Sequence, residues 1–529
     1  MMLTRRFTAA LLLLFLISGC AVNPVTGKRE LALVTQDQEL AIGAEQYGPA
    51  QQSQGGIFQI DPELSRYVNA VGQRLAAVSD RQLPYEFVVL NNSVPNAWAL
   101  PGGKIAVNRG LLLELHNEAE LAAVLGHEIV HAAARHGANA MQRGLLLQGV
   151  VMATALSAAD SHYANYIVGG AQIGAQLVTT RYGRDAELEA DYYGMQYMAR
   201  AGYDPSAAIG LQETFVQLSA GHESSWLEGL FASHPPSPDR VAANKTTAQA
   251  LNTTGEINQA QYETRIKPLK DRLPAYQLLD KATELVAKNQ LEEATKVIHQ
   301  AIEKVPEEAR FDGLKGEILL SQARFPAAVA AFSTALKKDS AYFGYHLGRG
   351  LARAKLGDAQ AARVDLEQSI KLLPTALASN ELGQISLANG DLGNAKRYFQ
   401  AAMGAGGSLG TAAGMAFMQL DLEDNPGQYI SAEPAMTESG RLIATILNRT
   451  NLKLRNVSID LDGNKTNNAI SNLRLATHAE NAQNNRRPSS NTSGHTGVHW
   501  HKKIGKWNAY VTVNQKRVSA GCFERKGDA

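Results

Sequence analysis

Cysteine is nearly absent from this chain of 529 residues, which contains only two. They allow one disulfide at most, and none once Cys20 is lipidated as the N-terminal sequence predicts, which leaves Cys522 without a partner in the chain. An excess of charge of one sign is also missing, since the net charge is +1 and the sequence pI is about 7.8. Such a balance gives no overall attraction to nucleic acid or to acidic lipid.

Apolar runs of membrane-spanning length are the third absence. The apolar stretches 145–156 and 164–178 are separated by the polar residues 160–162, which argues against a transmembrane helix. Amphipathic helices that touch a membrane surface, or ordinary core helices, fit these stretches instead. The chain length leaves room for about three domains.

The pentapeptide His127–His131, with the pattern HExxH, is the most informative feature that the chain does have. Its flanking sequence predicts a helix. On a helix, His127 and His131 lie one turn apart on one face, so both imidazoles can reach one metal ion. Glu128 beside them is placed to act as a general base. The spacing predicts metal-assisted hydrolysis, and the alternative is a chance match on an ordinary helix.

A catalytic zinc needs a third protein ligand in addition to two histidines. In the metzincin pattern, a glycine and a histidine follow the second histidine at fixed positions. Here those positions hold Ala134 and Gly137, and His136 is one residue out of register. The sequence therefore excludes the metzincin class.

The acidic segment 184–194 supplies another candidate, a glutamate on a second predicted helix. Glu187 and Asp191 are four residues apart and share one helical face, so one can bind metal while the other hydrogen-bonds a ligand imidazole. Glu189 points elsewhere. An acidic, solvated helix face is the plainer interpretation when this segment is taken alone.

With both motifs in place, residues 23–245 resemble the M48 (Ste24-like) zinc metallopeptidases, whose pattern is HExxH followed by ExEAD. The resemblance implies a gluzincin-type α+β domain, peptidase activity and one Zn²⁺ per chain. It also implies the roles of the site residues, with His127, His131 and Glu187 as metal ligands, Glu128 as the general base and Asp191 as support for a ligand.

Two further segments resemble parts of the same family. Residues 96–107 look like the strand before the active helix, whose edge pairs with an extended substrate backbone at Asn96, Trp98 and Leu100. The His-Pro pair that begins at His234 looks like a later segment that lies near the metal. There His234 either stabilises the oxyanion or occupies the open metal position and keeps the enzyme latent. A plain loop histidine is the alternative.

Residues 1–20 read as a lipoprotein signal peptide, with two arginines, an apolar core at 9–17 and a lipobox at 17–20. The core is too short to span a bilayer, so Cys20 is expected to become the lipidated N-terminus that anchors the mature chain. An uncleaved N-terminal anchor is the alternative. Because Ala21 rather than an aspartate follows the cysteine, bacterial sorting rules favour the outer membrane, facing the periplasm of a Gram-negative cell.

A helical period of 34 residues begins after a polar stretch, 246–274, that reads as a linker. This is the period of tetratricopeptide repeats, and residues 275–407 resemble about four copies of that α-solenoid family. Small residues at the recurring positions let paired helices approach closely, and larger ones fill the space between them. The recurring positions are Ala282, Ala294, Ile298 and Ala301, then Gly316, Ala328, Phe332 and Ala335, then Gly350, Ala362, Leu366 and Ser369, with a fourth copy slipped by one residue at Gly383, Ala395, Phe399 and Ala402.

An M48-like domain followed by such repeats resembles the periplasmic proteases that tend outer-membrane β-barrel assembly. The resemblance implies unfolded or misassembled outer-membrane proteins as substrates, and the assembly machinery as a partner of the repeats. The array then raises the local concentration of bound protein at the metal. A purely structural array is the alternative.

The C-terminal tail changes character after a strand-rich closing segment. Residues 460–492 resemble a fragment of an HNH homing endonuclease, and residues 493–529 resemble an AP2-type DNA-binding sheet. Together they carry eleven Lys/Arg against five Asp/Glu, which suits nucleic acid. Asp460 stands where such a nuclease needs its histidine base, and Asn472 and Asn481 match remaining positions without that base. The tail is therefore the one part of the chain where residual binding of nucleic acid is a possibility, and cleavage is not expected.

The sequence as a whole predicts a mainly α protein with an α+β peptidase domain, an α-solenoid and a small α+β or β tail. The first hypothesis is a zinc endopeptidase that degrades misfolded or stalled outer-membrane proteins. The alternatives are a latent protease that acts as a repeat-based chaperone or scaffold and, more weakly, a DNA-binding or HNH-related activity of the tail. The predicted segments are 1–20 (signal peptide), 21–245 (peptidase), 246–274 (linker), 275–407 (repeats), 408–459 (strand-rich closing segment), 460–492 (HNH-like) and 493–529 (AP2-like).

Overall fold

A computed structural model describes most of the chain, and it divides into two compact units, Met1–Ala378 and Ser379–Ala529. The signal peptide up to residue 19, the apolar stretches between the two metal motifs and the HNH-like fragment lie outside the described residues. No described helix is both long and apolar enough to cross a membrane. The described residues are 20–143, 182–221, 234–436, 442–449, 498–501, 506–513 and 516–523.

The first unit opens with a two-stranded antiparallel hairpin, β1 (Cys20–Val22) and β2 (Arg29–Leu31). Several of the helices that follow begin where a polar side chain accepts a hydrogen bond from a backbone N–H of the first turn, as at Thr35, Asp61 and Ser237. These helices are α1 (Gln36–Ser53), α2 (Pro62–Ala76), α3 (Arg109–Glu114), α4 (Glu118–Ala133), α5 (Arg184–Arg200), α6 (Ala207–Gly221) and α7 (Pro238–Leu251).

A small sheet lies between α2 and α3 in the chain, with strands β3 (Glu86–Leu90), β4 (Ala97–Leu100) and β5 (Lys104–Asn108). The strand order is β3-β5-β4, with β3 parallel and β4 antiparallel to the central strand. Gly102 and Gly103 make the turn between β4 and β5 at φ of 81° and 82°, a conformation that favours glycine. The sheet therefore leaves β4 at an edge.

The repeats of the first unit are consecutive helices that pack against one another, as the 34-residue period predicts. The predicted small positions are buried, and a Cβ on Gly316 would lie 2.8 Å from the Phe332 ring. The helices are α8 (Gln259–Ala287), α9 (Leu291–Lys304), α10 (Ala309–Ser321), α11 (Phe325–Lys338), α12 (Phe343–Lys355) and α13 (Ala359–Leu372).

The stretch 246–274, predicted as a linker, is largely helical in the structure. It contains the end of α7 and the first half of α8. Tyr262, Ile266 and Leu269 recur at helical spacing and are fully buried, so this segment packs into the core in spite of its polar composition. One apolar core runs from Phe58 through these residues to Ile318.

The second unit continues the helical pattern and ends in strands. The predicted strand-rich closing segment, 408–459, is helical as far as Tyr429, which the prediction missed. Strands β6 (Ile430–Met436) and β7 (Leu442–Asn448) follow and pair antiparallel. The last three strands form an antiparallel sheet of order β10-β9-β8, and its AP2-like character stays a prediction. The elements are α14 (Ala376–Ala388), whose first three residues belong to the first unit, α15 (Leu392–Ala402), α16 (Gly407–Asp424), α17 (Pro426–Tyr429), β6 (Ile430–Met436), β7 (Leu442–Asn448), β8 (Val498–His501), β9 (Lys506–Val513) and β10 (Lys516–Phe523).

Candidate metal centre

Helix α4 contains the HExxH motif and lies in the interior of the peptidase domain. Asn117 caps the helix by accepting a hydrogen bond from the backbone N–H of Glu120 at 2.9 Å. Every residue from 118 to 133 is buried, as expected for a helix that is packed on all sides. His127 and His131 project from one face, and their Nε2 atoms lie 3.0 Å apart.

Helix α5 brings Glu187 to the two histidines. Glycines face each other where α4 and α5 cross, and a Cβ on Gly194 would lie 3.1 Å from the backbone nitrogen of His127. This close approach places Glu187 Oε1 3.4 Å from His131 Nε2 and Glu187 Oε2 3.5 Å from His127 Nε2. The pattern of two histidines and a distant glutamate thus converges in space.

His234 completes a buried group of four possible ligands with His127, His131 and Glu187. Its Nδ1 lies 3.0 Å from Glu187 Oε1 and 3.3 Å from His127 Nε2. A tetrahedral zinc ion with bonds of about 2.0–2.1 Å sets its ligand atoms about 3.3 Å apart. The nearest distances within this cluster run from 3.0 to 3.5 Å, so the donor set and its spacing both fit a metal ion.

Asp191 and Arg240 hold the far side of His127. Asp191 Oδ1 lies 2.9 Å from His127 Nδ1, and Arg240 donates two hydrogen bonds of 2.7 Å to the same carboxylate. A third nitrogen of Arg240 lies 2.9 Å from Glu187 Oε2. Burial opposes ionisation of Asp191, but the Arg240 guanidinium outweighs it and lowers the pKa of this carboxyl. One buried arginine therefore orients both carboxylates.

His131 is held by a separate chain of contacts on its other side. Its Nδ1 lies 2.8 Å from Nδ1 of His136, whose Nε2 lies 3.5 Å from Glu189 Oε2. Glu189 in turn pairs with Lys28 of the hairpin segment at 3.2 Å, and the Tyr182 ring stacks on His131 with centroids 4.0 Å apart. His136 and Glu189 are outside the four-ligand group, as predicted, but they support it from outside.

Glu128 faces the same space from the active helix. Its Oε1 lies 3.6 Å from His234 Nε2, and its Oε2 has no hydrogen-bond partner among the residues that the structure describes. Burial raises the pKa of this carboxyl, which the neighbouring histidines partly offset. A cavity of about 40 Å³ adjoins it, with apolar walls from Met195, Leu211 and Phe215, enough space for a few water molecules.

Trp98 and Leu100 lie in the edge strand β4, and Asn96 is the residue before it. All three are buried. The Asn108 N–H donates to the Asn96 carbonyl at 2.8 Å, so alternate residues from Asn96 direct their backbone groups toward β5. The backbone groups of Ala97 and Ala99 then face the other edge, where no described strand pairs. Ala97 also lines the cavity beside Glu128.

The remaining predicted site residues lie either away from the four-ligand group or outside the residues that the structure describes. The backbone of Cys20 pairs with that of Leu31 in the N-terminal hairpin. Asp460, Asn472 and Asn481 lie outside the described residues. The sequence did not predict a role for Arg240, because its carboxylate partner Asp191 lies 49 residues away in the chain.

Comparison with known proteins identifies the two parts of the chain. Residues 62–248 match peptidase family M48, and residues 279–343 and 347–408 match the tetratricopeptide repeat. The beta-barrel assembly-enhancing protease of Yersinia pestis is 27% identical over 347 residues, which cover 60% of this chain and 70% of that protein. The protein of the same name from Escherichia coli K12 is 31% identical over 199 residues, or 36% of this chain and 40% of its own length.

A relative from fission yeast extends the match beyond bacteria. The mitochondrial metalloendopeptidase OMA1 of Schizosaccharomyces pombe is 30% identical over 244 residues, which cover 46% of this chain and 70% of that protein. An HExxH helix with a glutamate from a second helix, in a mainly α fold, defines a metallopeptidase. The chain belongs to peptidase family M48, and tetratricopeptide repeats follow its peptidase domain.

Proposed function

We propose that the chain is a zinc endopeptidase that holds one zinc ion between His127, His131 and Glu187. The observation that carries this proposal is the convergence of four buried ligand side chains, whose ligand atoms all lie within 4.8 Å of one another, next to the buried carboxyl of Glu128. A bound zinc ion supplies Lewis-acid polarisation of a peptide carbonyl in such a site. Three nitrogens and one carboxylate oxygen suit zinc better than calcium or magnesium, which prefer oxygen ligands.

Glu128 is the general base in this proposal. Its buried carboxylate takes a proton from the attacking water and passes it to the leaving amine. Burial raises its pKa toward the working pH, which favours both proton transfers. Asp191 accepts the Nδ1 proton of His127 and so keeps its Nε2 free to bind metal.

His234 keeps the resting enzyme latent. Its Nδ1 points into the ligand cluster, at 3.0 Å from Glu187 Oε1, and thus takes the fourth position that a catalytic site leaves to water or substrate. The other ring nitrogen of His234, Nε2, lies 3.6 Å from Glu128 Oε1, so the ring stands between the ligand cluster and the general base. Substrate binding must therefore displace His234 before cleavage.

The edge strand and the cavity form the substrate cleft. The outward backbone groups of Ala97 and Ala99 pair with an extended substrate, because an unpaired strand edge offers both donors and acceptors. The cavity beside Glu128 is small, and apolar side chains such as Met195, Leu211 and Phe215 form the wall opposite the polar residues of the site. We therefore expect a small apolar side chain next to the scissile bond.

The proposed substrates are misfolded or stalled outer-membrane proteins, in the periplasm of a Gram-negative cell. Two of the relatives are named for enhancing β-barrel assembly, and the predicted signal sequence supports attachment of Cys20 to the outer membrane. The repeats dock the substrate or the assembly machinery. Both roles rest on the resemblance and on the match to the repeat family.

Glu128→Gln and Glu187→Ala test the peptidase. The first is expected to bind stoichiometric zinc but to lose cleavage of an unfolded β-barrel protein by about 10²–10⁴-fold. The second is expected to lose zinc as well, because only two histidines and the displaceable His234 remain. Metal content by atomic emission and fragment yield on gels measure both. Undiminished cleavage by Glu128→Gln would contradict the proposal.

The closed site also favours a second candidate, a repeat-based chaperone or scaffold whose zinc site stays latent. His234→Ala separates the two. If latency is reversible, this variant cleaves an unstructured peptide several-fold faster than the wild-type chain at equal zinc content. If His234→Ala cleaves no faster than the wild-type chain, and Glu128→Gln still prevents aggregation of the barrel protein, the result supports the chaperone function.

A further inference from the structure

The repeat array contains a cavity of about 380 Å³ between α9, α10 and α11, away from the metal cluster. Its floor is apolar, with Ile298, Ile318 and Leu319 buried there. The volume lies within the range of small ligand pockets, about 300–1,000 Å³. Neither the peptidase match nor the repeat match assigns a ligand to this place.

Cations line the cavity without carboxylates to pair with them. Lys315 and Arg324 line it, and within the described part of the chain neither side chain makes an ion pair or a hydrogen bond. The one carboxylate in the lining, Asp312, already binds the Lys338 ammonium. Burial and, after it, the positive charge of Lys315 lower the pKa of the His299 imidazole, against a smaller opposing effect of Glu303. The cavity therefore has an excess of positive charge above an apolar floor.

In the third repeat, a carboxylate occupies the position that is equivalent to this cavity. Arg349 and Asp365 stand 34 residues after Lys315 and Ala331, so the two pairs occupy equivalent positions in successive repeats. Arg349 binds the Asp365 carboxylate through two nitrogens at 2.7 and 2.8 Å, and Arg353 adds a bond of 2.8 Å. In the second repeat Ala331 has no carboxylate, and Lys315 keeps its charge unpaired.

We propose that this cavity binds an acidic side chain of an extended peptide, whose carboxylate takes the place that Asp365 occupies one repeat later. Lys315 and Arg324 bind the carboxylate, and apolar residues beside it in the peptide pack on the floor. Charge-assisted hydrogen bonds to a partly buried carboxylate are stronger than neutral ones. The site goes beyond the proposed peptidase activity and does not require it, because binding is measured without cleavage.

Fluorescence anisotropy with the full-length chain tests the proposal. The probe is a short fluorescein-labelled peptide with one central aspartate between leucines and an amidated C-terminus, checked by mass spectrometry for cleavage. A twin peptide with asparagine in place of the aspartate is expected to bind about tenfold or more weakly, as for loss of one charge-assisted contact. Lys315→Gln is expected to weaken binding of the aspartate peptide by a similar factor, whereas Lys337→Gln, an exposed lysine on α11, leaves it unchanged.

Ala331→Asp places the carboxylate of the third repeat into the second. We expect it to abolish peptide binding while Lys315 remains, and a cooperative thermal unfolding curve shows whether the variant folds. If it does not fold, Lys315→Gln alone decides. The proposal is overturned if Lys315→Gln or a folded Ala331→Asp binds the aspartate peptide like the wild-type chain. It is also overturned if the asparagine twin binds equally, or if only a peptide with a free C-terminus binds.

Discussion

Asp191→Ala is the sharpest test of how the site holds metal, because this carboxylate touches a proposed ligand without being one. Its Oδ1 lies 2.9 Å from Nδ1 of His127. Without this acceptor, the imidazole loses the contact that fixes its ring orientation and its tautomer. Loss of such a contact costs about 10–100-fold in metal affinity, which corresponds to about 1.4–2.7 kcal/mol. We expect the zinc dissociation constant to rise by that factor.

The same substitution also removes a partner of buried Arg240. Removing one member of a buried ion pair costs about 3–5 kcal/mol. Arg240 keeps its contact with Glu187 at 2.9 Å, so a loss near 3 kcal/mol in the free energy of unfolding without zinc is expected. The two effects are separable, because zinc affinity is measured by chelator competition on the folded chain and stability by urea unfolding.

Two variants serve as controls for Asp191→Ala. Asp185→Ala removes an exposed carboxylate from the same helix and is expected to change neither quantity by more than about 0.5 kcal/mol. Asp191→Asn keeps an oxygen that can accept from His127 and should recover part of the zinc affinity. A zinc dissociation constant for Asp191→Ala within about threefold of the wild-type value, together with lost stability, would show that Asp191 is only a structural partner of Arg240.

Two further predictions concern packing and pH. Gly194→Val puts a side chain against the backbone of His127, where even a Cβ lies at 3.1 Å, and is expected to destabilise the chain by about 1–3 kcal/mol in urea unfolding. Gly183→Val, which meets nothing within 4 Å, is the matched control, and equal losses would contradict the close helix crossing. Burial opposes ionisation of Asp365, but His346 and two arginines outweigh it and lower the carboxyl pKa. A lowered folded-state pKa stabilises the fold above the unfolded value, about 3.9, and this stabilisation is lost as the pH falls through the folded pKa. The difference in unfolding free energy between the wild-type chain and Asp365→Asn should therefore be largest near neutral pH and shrink below about pH 4. A difference that grows on acidification would show that the ion pairs of Asp365 do not stabilise the fold.

The parts of the fold that the sequence predicts are those encoded within one helix or one repeat. HExxH places two imidazoles on one face because the helical period does so wherever the helix forms. Likewise, the 34-residue spacing of small residues predicts paired helices, since each repeat packs mainly against its neighbours. Glu187 could be proposed because its own helix carries Asp191 on the same face.

The parts that could not be predicted depend on contacts between distant segments. Arg240 meets Asp191 across 49 residues, and no local pattern reports such a contact. His136 meets His131 because helix α4 ends at Ala133 and Arg135 takes a left-handed conformation with φ of 64°, whereas an uninterrupted helix would carry His136 away. The partner strand β6 contains a proline, which lowers the strand signal.

The first three repeats are fixed to the peptidase domain, and this changes what docking can do. The Arg109 guanidinium lies 3.5 Å over the Tyr276 ring, and Gln52 exchanges hydrogen bonds of 2.8 Å with the backbone of Ala341 and Phe343. If a flexible linker joined the repeats to the peptidase domain, a protein bound to the repeats could approach the metal from any direction, and its local concentration there would rise. A fixed array instead holds a docked segment at one distance and direction from the metal. Cleavage should then fall at a preferred number of residues from the docked segment, because only chain long enough to span that distance reaches Glu128.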